Sequence, residues 1–96
     1  MQRGYSVLAR RWRGSSGEID LIVAAPDGVV VVEVKKSRSF DRAVQALSSR
    51  QAERIYGAAS EFIGTLPTGQ LTNVRLDVGL VNEIGEIRIL ENAIMF

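Results

Sequence analysis

Gly17-Glu18-Ile19-Asp20-Leu21-Ile22-Val23-Ala24-Ala25-Pro26-Asp27-Gly28-Val29-Val30-Val31-Val32-Glu33-Val34-Lys35-Lys36 is the stretch that decides the fold. Two apolar, β-branched runs flank a Pro-Asp-Gly turn. The pattern predicts a hairpin of strands 18–25 and 29–36. The four consecutive valines at 29–32 predict burial on both faces. Glu18, Asp20, Glu33 and Lys35 do not belong to that pattern. Buried charge is costly unless it is paired, solvated at an edge or bound to a metal. Charge held in such strands points to chemistry rather than packing.

Outward from the hairpin, Tyr5 to Trp12 reads as a strand, and Gly14-Ser15-Ser16-Gly17 as a turn. After the polar residues 37–41, a short helical segment is expected over 41–47. Ser48-Ser49-Arg50-Gln51 has capping-box spacing. Ala52, Ile55, Ala58, Ala59, Phe62 and Ile63 then recur at helical spacing up to Gly64. Val74, Leu76, Val78 and Leu80 alternate as a strand, with Asp77 pointing away as a solvated or ion-paired residue. Asn82-Glu83-Ile84-Gly85 turns the chain, Glu86 to Leu90 returns as a last strand, and the apolar 93–96 is expected to pack. The reading is a single α/β domain over residues 1–96. It has a mixed sheet of about five strands and one long helix, in the order β-β-β-α-β-β. One helix covers one face of such a sheet. The other face calls for another helix or a partner, a homodimer included.

Composition narrows the chemistry. Ninety-six residues make one domain. Without cysteine there are no disulfides and no thiolate zinc site. Without histidine there is no Ser-His-Asp triad. A metal here must take oxygen ligands, which favours Mg²⁺ or Mn²⁺. No apolar run is long enough to span a membrane and no signal peptide is visible, so a cytoplasmic location is expected. Residues 1–54 carry ten Lys/Arg and six Asp/Glu, whereas residues 55–96 carry two Arg and five acids. A basic half beside clustered acids suits a polyanion that is bound and acted on.

The geometry of the hairpin sets a condition. Glu33 and Lys35, two apart on one strand, share a face. A two-residue Asp27-Gly28 turn sets Asp20 opposite Lys35, and a four-residue loop sets it opposite Glu33. A three-residue loop sets it opposite Val34, facing away. The site therefore requires an even loop, unless a bulge resets the register. With Asp20 on that face, Asp20, Glu33 and the Val34 carbonyl form a ligand set for Mg²⁺ or Mn²⁺. Lys35 is placed to orient water or stabilise transition-state charge in phosphodiester hydrolysis. Arg10, Arg11, Arg13, Lys36, Arg38, Arg50 and Arg54 flank the set as candidate phosphate contacts, together with Arg42. Trp12 is expected as a core or interface anchor rather than a base-stacking residue. Gln51 is expected either to cap its helix or to point back to the site.

The segments Gly4-Tyr5, Ala9-Arg10-Arg11-Trp12-Arg13, Gly17-Glu18-Ile19-Asp20-Leu21-Ile22, Val32-Glu33-Val34-Lys35, Gln51, Arg75-Leu76-Asp77-Val78 and Glu91-Asn92-Ala93 resemble, in order, the YraN family of uncharacterised bacterial proteins. That family is similar to the PD-(D/E)XK nucleases, in particular archaeal Holliday junction resolvases. The resemblance implies a restriction-endonuclease-like core and a Mg²⁺-dependent endonuclease acting on structured or branched DNA. It implies Asp20, Glu33 and Lys35 as the catalytic set, with Glu18 and Gln51 as accessory positions. It also implies a helix carrying a glutamate ahead of the Gly4-Tyr5 segment, which this chain is expected to lack. A nucleic-acid-binding module without catalysis and a structural dimerisation domain are the alternatives.

Overall fold

The computed structural model describes residues 4–36, 38, 42 and 49–94. Five strands and one long helix follow in the expected order: β1 (Ser6–Arg13), β2 (Glu18–Ala25), β3 (Gly28–Lys36), α1 (Ser49–Ile63), β4 (Val74–Val81) and β5 (Ile87–Ile94). The expected helical segment over 41–47 (Arg42 apart), the Ser48 cap and residues 95–96 lie outside the described residues. In the sheet the strands stand in sequence order, β1-β2-β3-β4-β5. Every neighbouring pair is antiparallel except β3 and β4, which are parallel and joined through α1.

The apolar stripe of α1 packs Ile55, Ala58, Ala59, Phe62 and Ile63 against Ile19, Ile22, Val29, Val31 and Leu76. Each large aliphatic side chain buried in this way contributes about 1.5–3 kcal/mol. Trp12 joins the core edge-on to Phe62, with ring centroids 5.4 Å apart, so it is a packing residue. Asn73 clamps the hairpin turn: its carbonyl accepts from Val29 N at 2.8 Å, and its Nδ2 donates to the Asp27 carbonyl at 3.1 Å. A Cβ on Gly28 would lie 2.4 Å from that Asn73 carbonyl, so only glycine fits this approach.

The parallel register pairs Val31 with Leu76, Glu33 with Val78 and Lys35 with Leu80, which places these residues on the helix side. Val30, Val32, Arg75 and Asp77 point to the other face. There Tyr5, Val23, Val30, Val32, Arg75, Asp77, Ile89 and Glu91 line an open groove of about 450 Å³. Asp77 is not solvated as one option held: it is only 5% exposed. Arg75 meets it with two donors, Nε to Oδ1 at 2.9 Å and Nη2 to Oδ2 at 3.1 Å. The last strand runs to Ile94, four residues beyond the expected Leu90. Its pairing shifts between Val78↔Leu90 and Leu76↔Ile94, which breaks the alternation a sequence pattern relies on.

Candidate active site

The β2–β3 turn is Pro26-Asp27, with Ala25 paired to Gly28. This two-residue loop is even, as the site requires. The ladder continues to Leu21↔Val32 and stops there. One more step would set Asp20 against Glu33, the register expected of the longer, four-residue loop.

The ladder stops because β1 and β2 change phase together. Ala9 pairs with Ile22, Arg10 with Leu21 and Trp12 with Ile19, and the intervening Arg11–Asp20 step is skipped. Arg11 takes a left-handed backbone (φ 50°), unusual for a non-glycine residue. In consequence Ile19 and Ile22, three apart, both reach the core, as do Ala9 and Trp12. Asp20 leaves the ladder and its Oδ2 accepts the Val34 N–H at 2.8 Å, in place of a strand carbonyl.

Glu33 stands beside it, 9% exposed. Its Oε1 accepts from Gln51 Nε2 at 3.5 Å, and its Oε2 is buried without a hydrogen-bond partner among the described residues. Gln51 Oε1 accepts from Lys35 Nζ at 2.8 Å. Gln51 thus bridges the acid and the ammonium from the first turn of α1. Burial, then the adjacent Asp20 carboxylate, push the Glu33 carboxyl up to about 7, and Lys35 pulls it partly back.

Glu18 is held differently. Arg13 Nη2 donates to it at 3.0 Å and Arg11 Nε at 3.4 Å, and the Arg13 bond foremost keeps its carboxyl below the usual range. Glu18, Gln51, Gly17, Arg54 and Ile55 line a cleft of about 220 Å³ between the start of β2 and the helix. Among the basic candidates Arg10, Arg11, Arg13, Lys36, Arg38, Arg42, Arg50 and Arg54 are all exposed, while Arg11 and Arg13 already serve Glu18. Arg50 directly precedes Gln51, Arg54 borders the cleft and Lys36 follows Lys35, which gives the cluster a cationic surround.

One residue that shapes the site was not read from the sequence. The Glu61 carboxylate accepts from Ser15 N at 3.1 Å, from Ser16 N at 3.4 Å and from the Ser15 hydroxyl, docking the β1–β2 turn on α1. These bonds, the hydroxyl first, hold the Glu61 carboxyl below its ordinary range. A Cβ on Gly57 would lie 2.7 Å from Ser16 Oγ, so the glycine admits the turn. The signal in the sequence is the helical spacing of Arg54, Gly57 and Glu61, which share one face of α1.

With the Lys35 and Gln51 nitrogens acting as hydrogen-bond donors, the atoms left to ligate a metal here are oxygens, the type a hard divalent cation takes. The Asp20 carboxylate, the Glu33 carboxylate with its orphaned oxygen, and the neighbouring Val34 backbone fit Mg²⁺ or Mn²⁺ in chemical type. No group of three Asp, Glu, His or Cys side chains converges at metal-binding distance among the described residues. The protein side chains would therefore supply two ligands and leave the rest to main chain, water or substrate. No helix among the described residues is long and apolar enough to cross a membrane.

Among the described residues, fold and cluster together define an α/β arrangement with α1 on one face of the sheet and an Asp–Glu–Lys–Gln cluster where β2 and β3 part. The chain belongs to the uncharacterised protein family UPF0102, whose model matches residues 1–81. A UPF0102 protein of Ruegeria pomeroyi is 53% identical over 92 residues, covering 96% of this chain and 75% of the relative. One from Cereibacter sphaeroides strain ATCC 17025 is 59% identical over 87 residues, covering 91% and 74%. One from Dinoroseobacter shibae is 46% identical over 93 residues, covering 97% and 69%. The names of these relatives carry no activity, in keeping with the resemblance to an uncharacterised family.

Proposed function

We propose that the protein is a cytoplasmic, Mg²⁺- or Mn²⁺-dependent endonuclease of the PD-(D/E)XK type acting on structured or branched DNA. The observation that carries this reading is the buried Glu33 Oε2 beside Asp20, without a hydrogen-bond partner among the described residues. A fold gains nothing from a dehydrated carboxylate with an unmet oxygen, whereas a cation between the two acids removes their repulsion. Bound there by Asp20, Glu33 and the Val34 carbonyl, the metal would supply Lewis-acid polarisation of a phosphoryl oxygen. Asp20 holds its geometry through Val34 N, and Gln51 holds Lys35 against Glu33. Lys35 donates to a water or to the charge developing on the phosphoryl group. Lys36, Arg38, Arg50 and Arg54 hold flanking phosphates, with Arg10, Arg11 and Arg13 on the β1 side.

The test is cleavage of branched, flapped and linear DNA with each metal, by this chain and by its Glu33→Ala and Lys35→Ala variants. Metal-dependent nicking lost in both variants supports the reading. No cleavage by this chain or by its Ruegeria pomeroyi relative would sink it.

A binding module without catalysis is the second reading, favoured by the convergence of only two acidic side chains. It predicts salt-sensitive DNA binding that survives Glu33→Ala, with no nicking.

A further inference from the structure

The two edges of the sheet are built differently. β1 carries Arg10, Arg11 and Arg13, a pairing irregularity between Val7 and Ala9, and the left-handed Arg11. Charge and irregular backbone are the usual guards against edge-to-edge pairing. β5 contains no proline, carries one charge of each sign (Arg88 and Glu91), and keeps a regular pairing as far as Leu90. Its apolar side chains are open to solvent: Ile87 is 70% exposed, Ile89 54% and Leu90 38%. Ile84, in the turn leading into the strand, is 76% exposed. A regular apolar edge presents a row of backbone donors and acceptors that another strand can satisfy.

We infer that β5 is the interface between two copies of this chain, paired antiparallel about a two-fold axis normal to the sheet. This inference is independent of the nuclease reading. A strand paired with its own copy is isologous and closes at two subunits. The guarded β1 edge then stops growth, leaving one continuous ten-stranded sheet.

Charge selects the register. A two-fold axis normal to the sheet keeps each face on its own side, so opposed residues must share a face. One residue therefore sits on the axis, facing its own copy. Centring on Arg88 opposes two guanidinium groups, and centring on Glu91 opposes two carboxylates. Like charges directly opposed across a strand pair are destabilising. Of the four positions from Arg88 to Glu91, Ile89 and Leu90 are then left for the axis. Attachment at the edge leaves the groove over Val30, Val32 and the Arg75–Asp77 pair open in both copies. The second copy thus lies beside the sheet rather than over its face.

Light scattering across a concentration series tests the state. A species of twice the 10.5 kDa chain mass is expected at micromolar concentration. Ile89→Asp opposes two carboxylates in one surviving register and faces Glu91 in the other. It is expected to weaken association at least tenfold while circular dichroism stays unchanged. Ile89→Cys or Leu90→Cys is expected to oxidise to a covalent dimer, with Leu8→Cys on β1 as a control that stays monomeric. A monomer at every concentration overturns the inference. So does a dimer that ignores Ile89→Asp and crosslinks through Val34→Cys on the open face.

Discussion

Asp77 and Glu33 are two buried acids on adjacent strands of one sheet, facing opposite sides. Asp77 is 5% exposed and Glu33 9%. Both oxygens of Asp77 are met by the guanidinium of Arg75. Glu33 has one distant amide donor and one oxygen with no partner among the described residues. Equal burial with unequal satisfaction separates the roles. A completed ion pair is part of how the sheet holds together. An incomplete one stores electrostatic free energy that a ligand can release.

The widest separation between the two is in activity. Glu33→Ala should lower metal-dependent nicking at least ~10³-fold, since it removes half of the carboxylate pair. Asp77→Asn should leave the rate within about threefold. Nicking by Glu33→Ala at the parental rate would erase the distinction.

Stability should show the opposite order. Asp77→Asn removes the carboxylate that meets both Arg75 donors, leaving only the more distant charge of Glu91, and should cost about 2 kcal/mol in urea unfolding, below the loss for a fully buried pair. Glu33→Gln should stabilise increasingly as pH rises from about 4.5 to about 7, and by the full amount above that. The folded pKa of Glu33, about 7, lies above its unfolded value of 4.5. The folded state therefore holds the proton between those values. Stability from this group is full below about 4.5, falls as pH rises through the window, and is lost above about 7. The loss is about 3 kcal/mol. Parallel urea midpoints of the parent and Glu33→Gln at pH 4 and pH 8 check it: the variant should gain at pH 8 and hardly at all at pH 4.

Metal binding should follow the same proton. Glu33 must ionise to ligate, so Mg²⁺ affinity measured by calorimetry should fall by about tenfold from pH 8 to pH 6. The Asp77→Asn protein should keep this dependence, and Glu33→Gln should lose it. The smallest effect expected is from Glu61→Gln, which loosens the β1–β2 turn at one remove from the cluster. Activity should drop about two- to fivefold, with Tm down by a few degrees.

Much of this arrangement was legible in the chain. The Pro-Asp-Gly turn between apolar runs gave both hairpin strands, and the α1 stripe from Ile55 to Ile63 lies in the core as its spacing predicts. The shared face of Glu33 and Lys35 could be drawn from strand alternation, whereas Gln51 turning back to them was one of two expectations for that residue. Three features could not be drawn in this way. The phase change at Arg11 and Asp20 depends on two strands departing from regularity together, and neither strand alone shows it. The docking of Glu61 on Ser15 and Ser16 spans more than forty residues of chain between partners that look like ordinary surface. Alternation sets Arg75 and Asp77 on one face and so allows their ion pair, but it does not report that Asp77 is buried.

The single parallel joint of the sheet has a consequence for how the site comes into being. β1, β2 and β3 are joined by short turns, and so are β4 and β5, so each group can form from contacts close in sequence. Only the β3–β4 pairing must close a long loop, through α1, and closure over such distances is the slow step of folding. Asp20, Glu33 and Lys35 all lie within the first group, whereas Gln51 and the apolar cover arrive with α1. The two acids thus meet while still wet and ionised. Dehydration comes with the helix, and with it the rise of the Glu33 carboxyl to about 7.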